Sequence, residues 1–73
     1  MPSKYPVSTP DEVIKVLKKA GFDFVSQKGS HIKYSNGMHV VIIPDHKEIK
    51  RFTLKSILEQ ADMDLEEFLL LRK

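Results

Sequence analysis

The stretch Gln27-Lys28-Gly29-Ser30-His31-Ile32-Lys33-Tyr34 holds the residue types best suited to chemistry. Histidine is the side chain whose ordinary pKa lets it give or take a proton near neutral pH. Here His31 sits beside a glycine and a hydroxyl, with Lys28 and Lys33 on either side. That set can hold an imidazole against a phosphate. RNA brings its own nucleophile, the ribose 2′-OH. A protein that cleaves RNA through that hydroxyl needs a base, positive charge or N–H donors for the phosphorane, and a proton for the leaving oxygen. His31, Lys28, Lys33 and the backbone of Gly29-Ser30 supply much of this. A strand histidine is more commonly non-catalytic, so residue chemistry alone leaves both readings open.

Other chemistries fit less well. Ser30 and His31 are neighbours on an expected strand and point to opposite faces, so Ser30 cannot be a nucleophile activated by His31. Phosphate-loop and dinucleotide glycine motifs are absent. The chain has no cysteine, which excludes disulfides and thiolate metal sites. His31, His39 and His46 lie near Asp45 in sequence, but the expected hairpin puts His31 and His39 on opposite faces. No metal or organic cofactor is expected.

The elements that must position His31 can be read from local signals. Thr9-Pro10-Asp11-Glu12 is a capping box with proline at the first helical position. Val13, Ile14, Leu17 and Ala20 follow at helical spacing, and Gly21 is placed to end the helix. Phe22–Gln27 reads as a strand, Lys28-Gly29 as a turn and Ser30–Tyr34 as a second strand. Asn36-Gly37 is a strong hairpin signal leading to a third strand at His39–Ile43. A two-residue loop there pairs Ser35 with Met38 and His31 with Ile42. Ile32, Tyr34, His39, Val41 and Ile43 then face the core, while His31, Lys33, Val40 and Ile42 face outward. A one-residue slip would reverse this.

Pro44 should stop the third strand. Residues 45–51 read as a polar connector. Thr53 is the expected cap of a second helix, with Leu54, Ile57, Leu58 and Ala61 on its apolar side. Asp64 is the expected cap of a third, whose apolar side is Leu65, Phe68, Leu69 and Leu71. Leu69-Leu70-Leu71 either clamps the sheet or partly faces a partner. The order α-β-β-β-α-α implies an α+β fold, a three-stranded antiparallel sheet covered on one face by helices.

At 73 residues the chain is one domain, expected at 9–73 behind a flexible lead-in at 1–8. The longest clean apolar run, Val40–Ile43, is far too short to span a bilayer, and no signal-peptide pattern is visible. A cytoplasmic protein is the simplest expectation. Net charge is only +2, but it is unevenly spread. Residues 1–51 hold nine Lys/Arg against five Asp/Glu, whereas residues 52–73 hold three against five. No acid lies between Asp23 and Asp45, which suits a polyanionic ligand near His31.

Four segments carry a family resemblance: Glu12–Phe22, Gln27–His31, Pro44–Ile49 and Thr53–Ala61. Their order and spacing resemble the HicA toxins over about residues 9–71, with Gly29-Ser30-His31 matching the family's signature. The resemblance implies a fold like the double-stranded RNA-binding domain. It implies a metal-independent ribonuclease, an mRNA interferase, with His31 catalytic, and a HicB-type antitoxin that covers the site. Lys28, Gly29, Ser30 and Lys33 would contact RNA, with Lys47, Lys50 and Arg51 as further contacts. Two positions depart from the family's pattern. Phe52 stands where it usually has glycine before Thr-Leu, so either that turn differs or Phe52 joins the core. Asp62 stands where it often has glycine after the helix, which removes a glycine cap. Outside this class, a non-catalytic double-stranded RNA-binding module needs basic patches but no acid/base histidine. A pure protein-interaction domain is a third reading.

Overall fold

In the computed structural model, which describes residues 5–73, the chain forms α1 (Pro10–Lys19), β1 (Asp23–Lys28), β2 (His31–Ser35), β3 (Val40–Pro44), α2 (Arg51–Gln60) and α3 (Leu65–Arg72). The strands make one antiparallel sheet in the order β1-β2-β3. This is the α+β, double-stranded-RNA-binding-domain-like arrangement. Ile32, Tyr34, Val41 and Ile43 on one sheet face pack with Val13, Val16, Leu17, Leu54, Ile57, Leu58 and Phe68 from the helices. None of the helices among the described residues is long and apolar enough to cross a membrane.

Local signals set the helix ends. Thr9 accepts from the Glu12 N–H, and the Glu12 carboxylate accepts from the Thr9 N–H, which completes the capping box of α1. At the other end Phe22 N–H donates to Leu17 O and Gly21 N–H to Lys18 O, with Gly21 at φ +93°. This is a Schellman motif. α2 ends the same way: Met63 N–H donates to Leu58 O and Asp62 N–H to Glu59 O. The left-handed residue there is Asp62, at φ +55°. So the glycine is gone but the turn it normally serves is kept. Asp64 caps α3 through the Glu67 N–H, as expected. Lys19 Nζ reaches across from α1 to donate to the Leu71 and Lys73 carbonyls, neutralising the negative end of α3.

Several expectations fail in their details. The β2–β3 loop is four residues long, not two. Ser35 pairs with Val40 and Ile32 with Ile43, so the register is shifted by two. The physical reason is the Asn36 side chain, whose Oδ1 accepts from both Met38 N–H at 2.9 Å and His39 N–H at 2.7 Å. That Asx-type turn satisfies the loop's donors without tightening it to two residues. A shift of two preserves side-chain parity, so the assigned faces survive. His39 alone is misplaced: it lies in the loop, beside Asp62, rather than on the core face.

The second helix starts at Arg51 rather than after Thr53, and its N-cap, Lys50, makes no side-chain capping bond. The chain just before it is held by a two-way backbone bridge, Ser8 N–H to Ile49 O and Ile49 N–H to Ser8 O. Ile49, inside the expected polar connector, is fully buried. Phe52 is therefore helical and 81% exposed, so it adds nothing to the core. The strand limits move by a residue or so: Lys28 ends β1, and Gly29-Ser30 forms the turn. Of the expected lead-in, Ser8 is buried in that bridge and Tyr5 packs against the core. Residues 1–4 lie outside the described residues.

Candidate functional site

β1 and β2 are joined by the two-residue turn Gly29-Ser30, with Lys28 directly opposite His31. Gly29 has φ +61° and Ser30 a negative φ, the sign pattern of a type II′ turn, which takes glycine first. Directly opposed residues share a face, with Cβ atoms about 5 Å apart. Lys28 and His31 are therefore side by side. Lys33, two residues along β2, lies on the same face, opposite Ser26 on β1 and Ile42 on β3. Both flanking lysines and the imidazole thus share the sheet face that no helix covers. On β3 the same face presents Val40, Ile42 and Pro44, with Pro44 opposite His31.

His31, Lys28 and Lys33 are all exposed. The His31 side chain makes no hydrogen bond or ion pair with any described residue. An imidazole so placed is free to meet a ligand from solvent. Behind it, the turn is braced. Gln27 Nε2 donates to Gly29 O at 3.1 Å and to Asp45 Oδ2 at 3.2 Å. Asp45 N–H donates to Ser30 O at 2.7 Å, extending the β2–β3 ladder past Pro44. Gln27 is the cross-strand partner of buried Ile32, so it lies on the opposite side of the sheet from His31. The brace holds the turn without occupying the face that carries His31.

Gln27 and Asp45 are the positioning residues that sequence reasoning missed. Asp45 is far in sequence from the turn. Only the register of β3, which brings Pro44 opposite His31, shows that its N–H reaches Ser30.

The remaining expected contacts divide by place. Lys47 is exposed in the connector that follows Pro44; Lys50 directly precedes α2 and Arg51 opens it. α2 returns toward the β2–β3 loop: Gln60 Oε1 accepts from Ile42 N–H, and Asp62 lies 4.0 Å from His39. The start of α2 therefore sits at the His31 end of the sheet, and its end at the far side. His39 and Asp62 belong to that far side, next to a groove of about 490 Å³ lined by Leu58, Glu59, Asp62, Met63, Asp64 and Glu67. Four carboxylates there repel a polyanion. The two ends of the domain are thus electrostatically distinct. Among the described residues, no three His, Cys, Asp or Glu side chains gather as a metal ligand set.

The chain has no match among curated proteins at the level of whole sequences. The family model of the HicA toxin of bacterial toxin-antitoxin systems matches residues 10–63, from the first turn of α1 to the end of the Asp62 turn. That span includes the Gly29-Ser30-His31 turn, its brace and all three strands. The match covers well over half of the chain, and so this protein belongs to the HicA toxin family, for which an antitoxin is the implied partner.

Proposed function

We propose that this toxin is a ribonuclease, an mRNA interferase that cleaves RNA through His31 and is neutralised by a HicB-type antitoxin. The observation that carries the reading is the shared open face of Lys28, His31 and Lys33, set on a braced glycine turn. In this reaction His31 acts as general base or general acid. The 2′-OH loses its proton as its oxygen bonds to phosphorus. The bond from phosphorus to the 5′-oxygen breaks, and that oxygen leaves with a proton. The products are a 2′,3′-cyclic phosphate and a free 5′-hydroxyl. Solvent reaches this exposed site and serves as the other proton carrier.

Lys28 and Lys33 place positive charge where the phosphorane becomes more negative. Gly29, with no side chain, leaves the turn's backbone open to a phosphate. Lys47, Lys50 and Arg51 extend the basic surface along the same end of the domain. The antitoxin, on this reading, covers the uncovered sheet face and thereby the imidazole.

The test is to express the wild type and His31→Ala in cells and compare growth and RNA integrity. Loss of toxicity and of cleavage in the variant is expected; equal toxicity would sink the catalytic assignment. The fold itself favours a second reading, a non-catalytic double-stranded RNA-binding module. Intact RNA after prolonged incubation with the pure wild-type protein, together with salt-sensitive duplex binding, would establish that one instead.

A further inference from the structure

We propose that Phe52, flanked by Lys50 and Arg51, is a stacking platform for a base of single-stranded RNA. The proposal deepens the ribonuclease reading and rests on it for the identity of the ligand. Phe52 occupies the first turn of α2 and is 81% exposed. An aromatic of this size in water has lost its hydrophobic use, and a flat π-face offered to solvent is the form in which proteins stack nucleobases. It also borders a groove of about 310 Å³ lined by Val7, Glu48, Lys50, Arg51 and Phe52. That volume is at the lower limit of small-molecule sites, about 300 Å³. Val7 in this groove is itself half exposed.

Charge selects the occupant. Lys50 and Arg51 line the groove beside the aromatic, and Glu48 is the single acid there. The first turn of α2 contains no acidic residue. A base on Phe52 would leave its flanking phosphates within the field of these cations. Duplex bases are already stacked on each other, so the ligand is a single strand.

Position links this patch to the candidate catalytic residue. Pro44 is opposite His31, and seven residues later the chain enters α2. Phe52 is therefore at the same end of the domain as the Gly29-Ser30 turn, on the helix side of the sheet rather than the open side. A single strand that crosses this end meets Phe52 and His31 in turn. The site would extend recognition beyond the scissile phosphate.

The experiment measures binding in the full chain carrying His31→Ala, so that RNA stays intact. The probes are a fluorescein-labelled single-stranded RNA oligonucleotide and a labelled duplex of the same sequence. Adding Phe52→Ala should weaken single-strand binding on the order of ten-fold. Duplex binding should change by less than two-fold, and Phe52→Tyr should restore the single-strand affinity. The salt dependence should stay the same, since no phosphate contact is removed. Unchanged single-strand binding in Phe52→Ala overturns the proposal, and so does an equal loss for strand and duplex. Loss of antitoxin binding with RNA binding intact would also overturn it and mark a protein-docking surface instead. Absence of cleavage by the wild type would sink the ribonuclease reading but leave this binding comparison readable.

Discussion

The Gln27 amide lies 3.2 Å from the Asp45 carboxylate, and between them these residues hold both carbonyls of the Gly29-Ser30 turn. One amide bridges a β1 residue, the turn and the residue after β3. The proposed catalytic residue, His31, is the next residue in the chain. The group that is to do chemistry is thus free, while the backbone that aims it is tied from behind.

Removing either end of that brace should loosen the turn. Gln27→Ala should raise amide hydrogen exchange at Gly29, Ser30 and His31 while leaving α1 and α3 unchanged. The stability cost should be small, about 0.5–1.5 kcal/mol, because these bonds are exposed. RNA cleavage should fall more than stability does. Asp45→Asn keeps an acceptor oxygen for the Gln27 amide and should retain more activity than Asp45→Ala. Equal activity in all three variants would show that the brace is dispensable.

Gly29→Ala tests the turn itself. A Cβ at this position meets nothing within 4 Å, so no clash contributes. The cost comes from φ +61° alone, about 1–2 kcal/mol for an L-residue. For a domain of this size that should lower Tm by roughly 4–8 °C per kcal/mol. Thermal unfolding followed by circular dichroism reads it directly. An unchanged Tm would mean that the turn does not need the left-handed conformation.

Asp62→Gly should do the reverse. Asp62 holds φ +55° in a Schellman turn whose counterpart at the end of α1 is glycine. Glycine relieves that backbone strain, for a gain of about 0.5–1 kcal/mol. The pairing with His39 that the change removes is exposed and 4.0 Å long, so its absence offsets little of this. Urea unfolding should show a higher midpoint with an unchanged m-value. A lower midpoint would show that the Asp62 carboxylate matters more than its backbone.

Lys28→Ala and Lys33→Ala should each weaken RNA binding and reduce its salt dependence. Removing one lysine–phosphate pairing from a single-strand complex lowers the slope of log K against log salt by about 0.7. The double variant should show roughly twice that change. Lys55→Ala serves as the control. Lys55 lies one turn after Arg51 and has no assigned role at the RNA. Slopes unchanged in both Lys28 and Lys33 variants would remove the open sheet face from the RNA interface.

Core and far-side changes should behave differently from all of these. Phe68 is fully buried between α3 and the rest of the core. Phe68→Ala should cost about 3–5 kcal/mol. That approaches the whole stability of a small domain, so much of the protein should be unfolded at 37 °C. Leu70→Ala, a little further along on the exposed side of α3, should be nearly silent in the same thermal melt. A clear loss at Leu70 would show that the exposed side of α3 is covered in solution.

Much of the site was legible because its causes are local. The capping box at Thr9, the Schellman turn at Gly21 and the cap at Asp64 each involve residues within five positions of one another. Side-chain alternation placed His31 and Lys33 outward and Ile32 and Tyr34 inward. That assignment survived a wrong loop length because the register moved by two, which leaves the faces unchanged. What the sequence did not reveal depended on partners distant along the chain. Asn36-Gly37 fits a two-residue turn by itself; the Asn36 side chain and the fit of Ile43 against Ile32 favoured four. Thr53 is a good cap by itself, yet the Ser8–Ile49 bridge precedes a helix that begins at Arg51 and leaves Phe52 in solvent. Asp45 becomes part of the Gly29-Ser30 turn only through strand pairing. The sequence alone therefore determined which residues face which way, since periodicity and capping act within one or two turns of chain. The tertiary structure decided loop length, helix start and the brace behind His31, because each depends on hydrogen bonds and packing between segments that meet only when the domain folds.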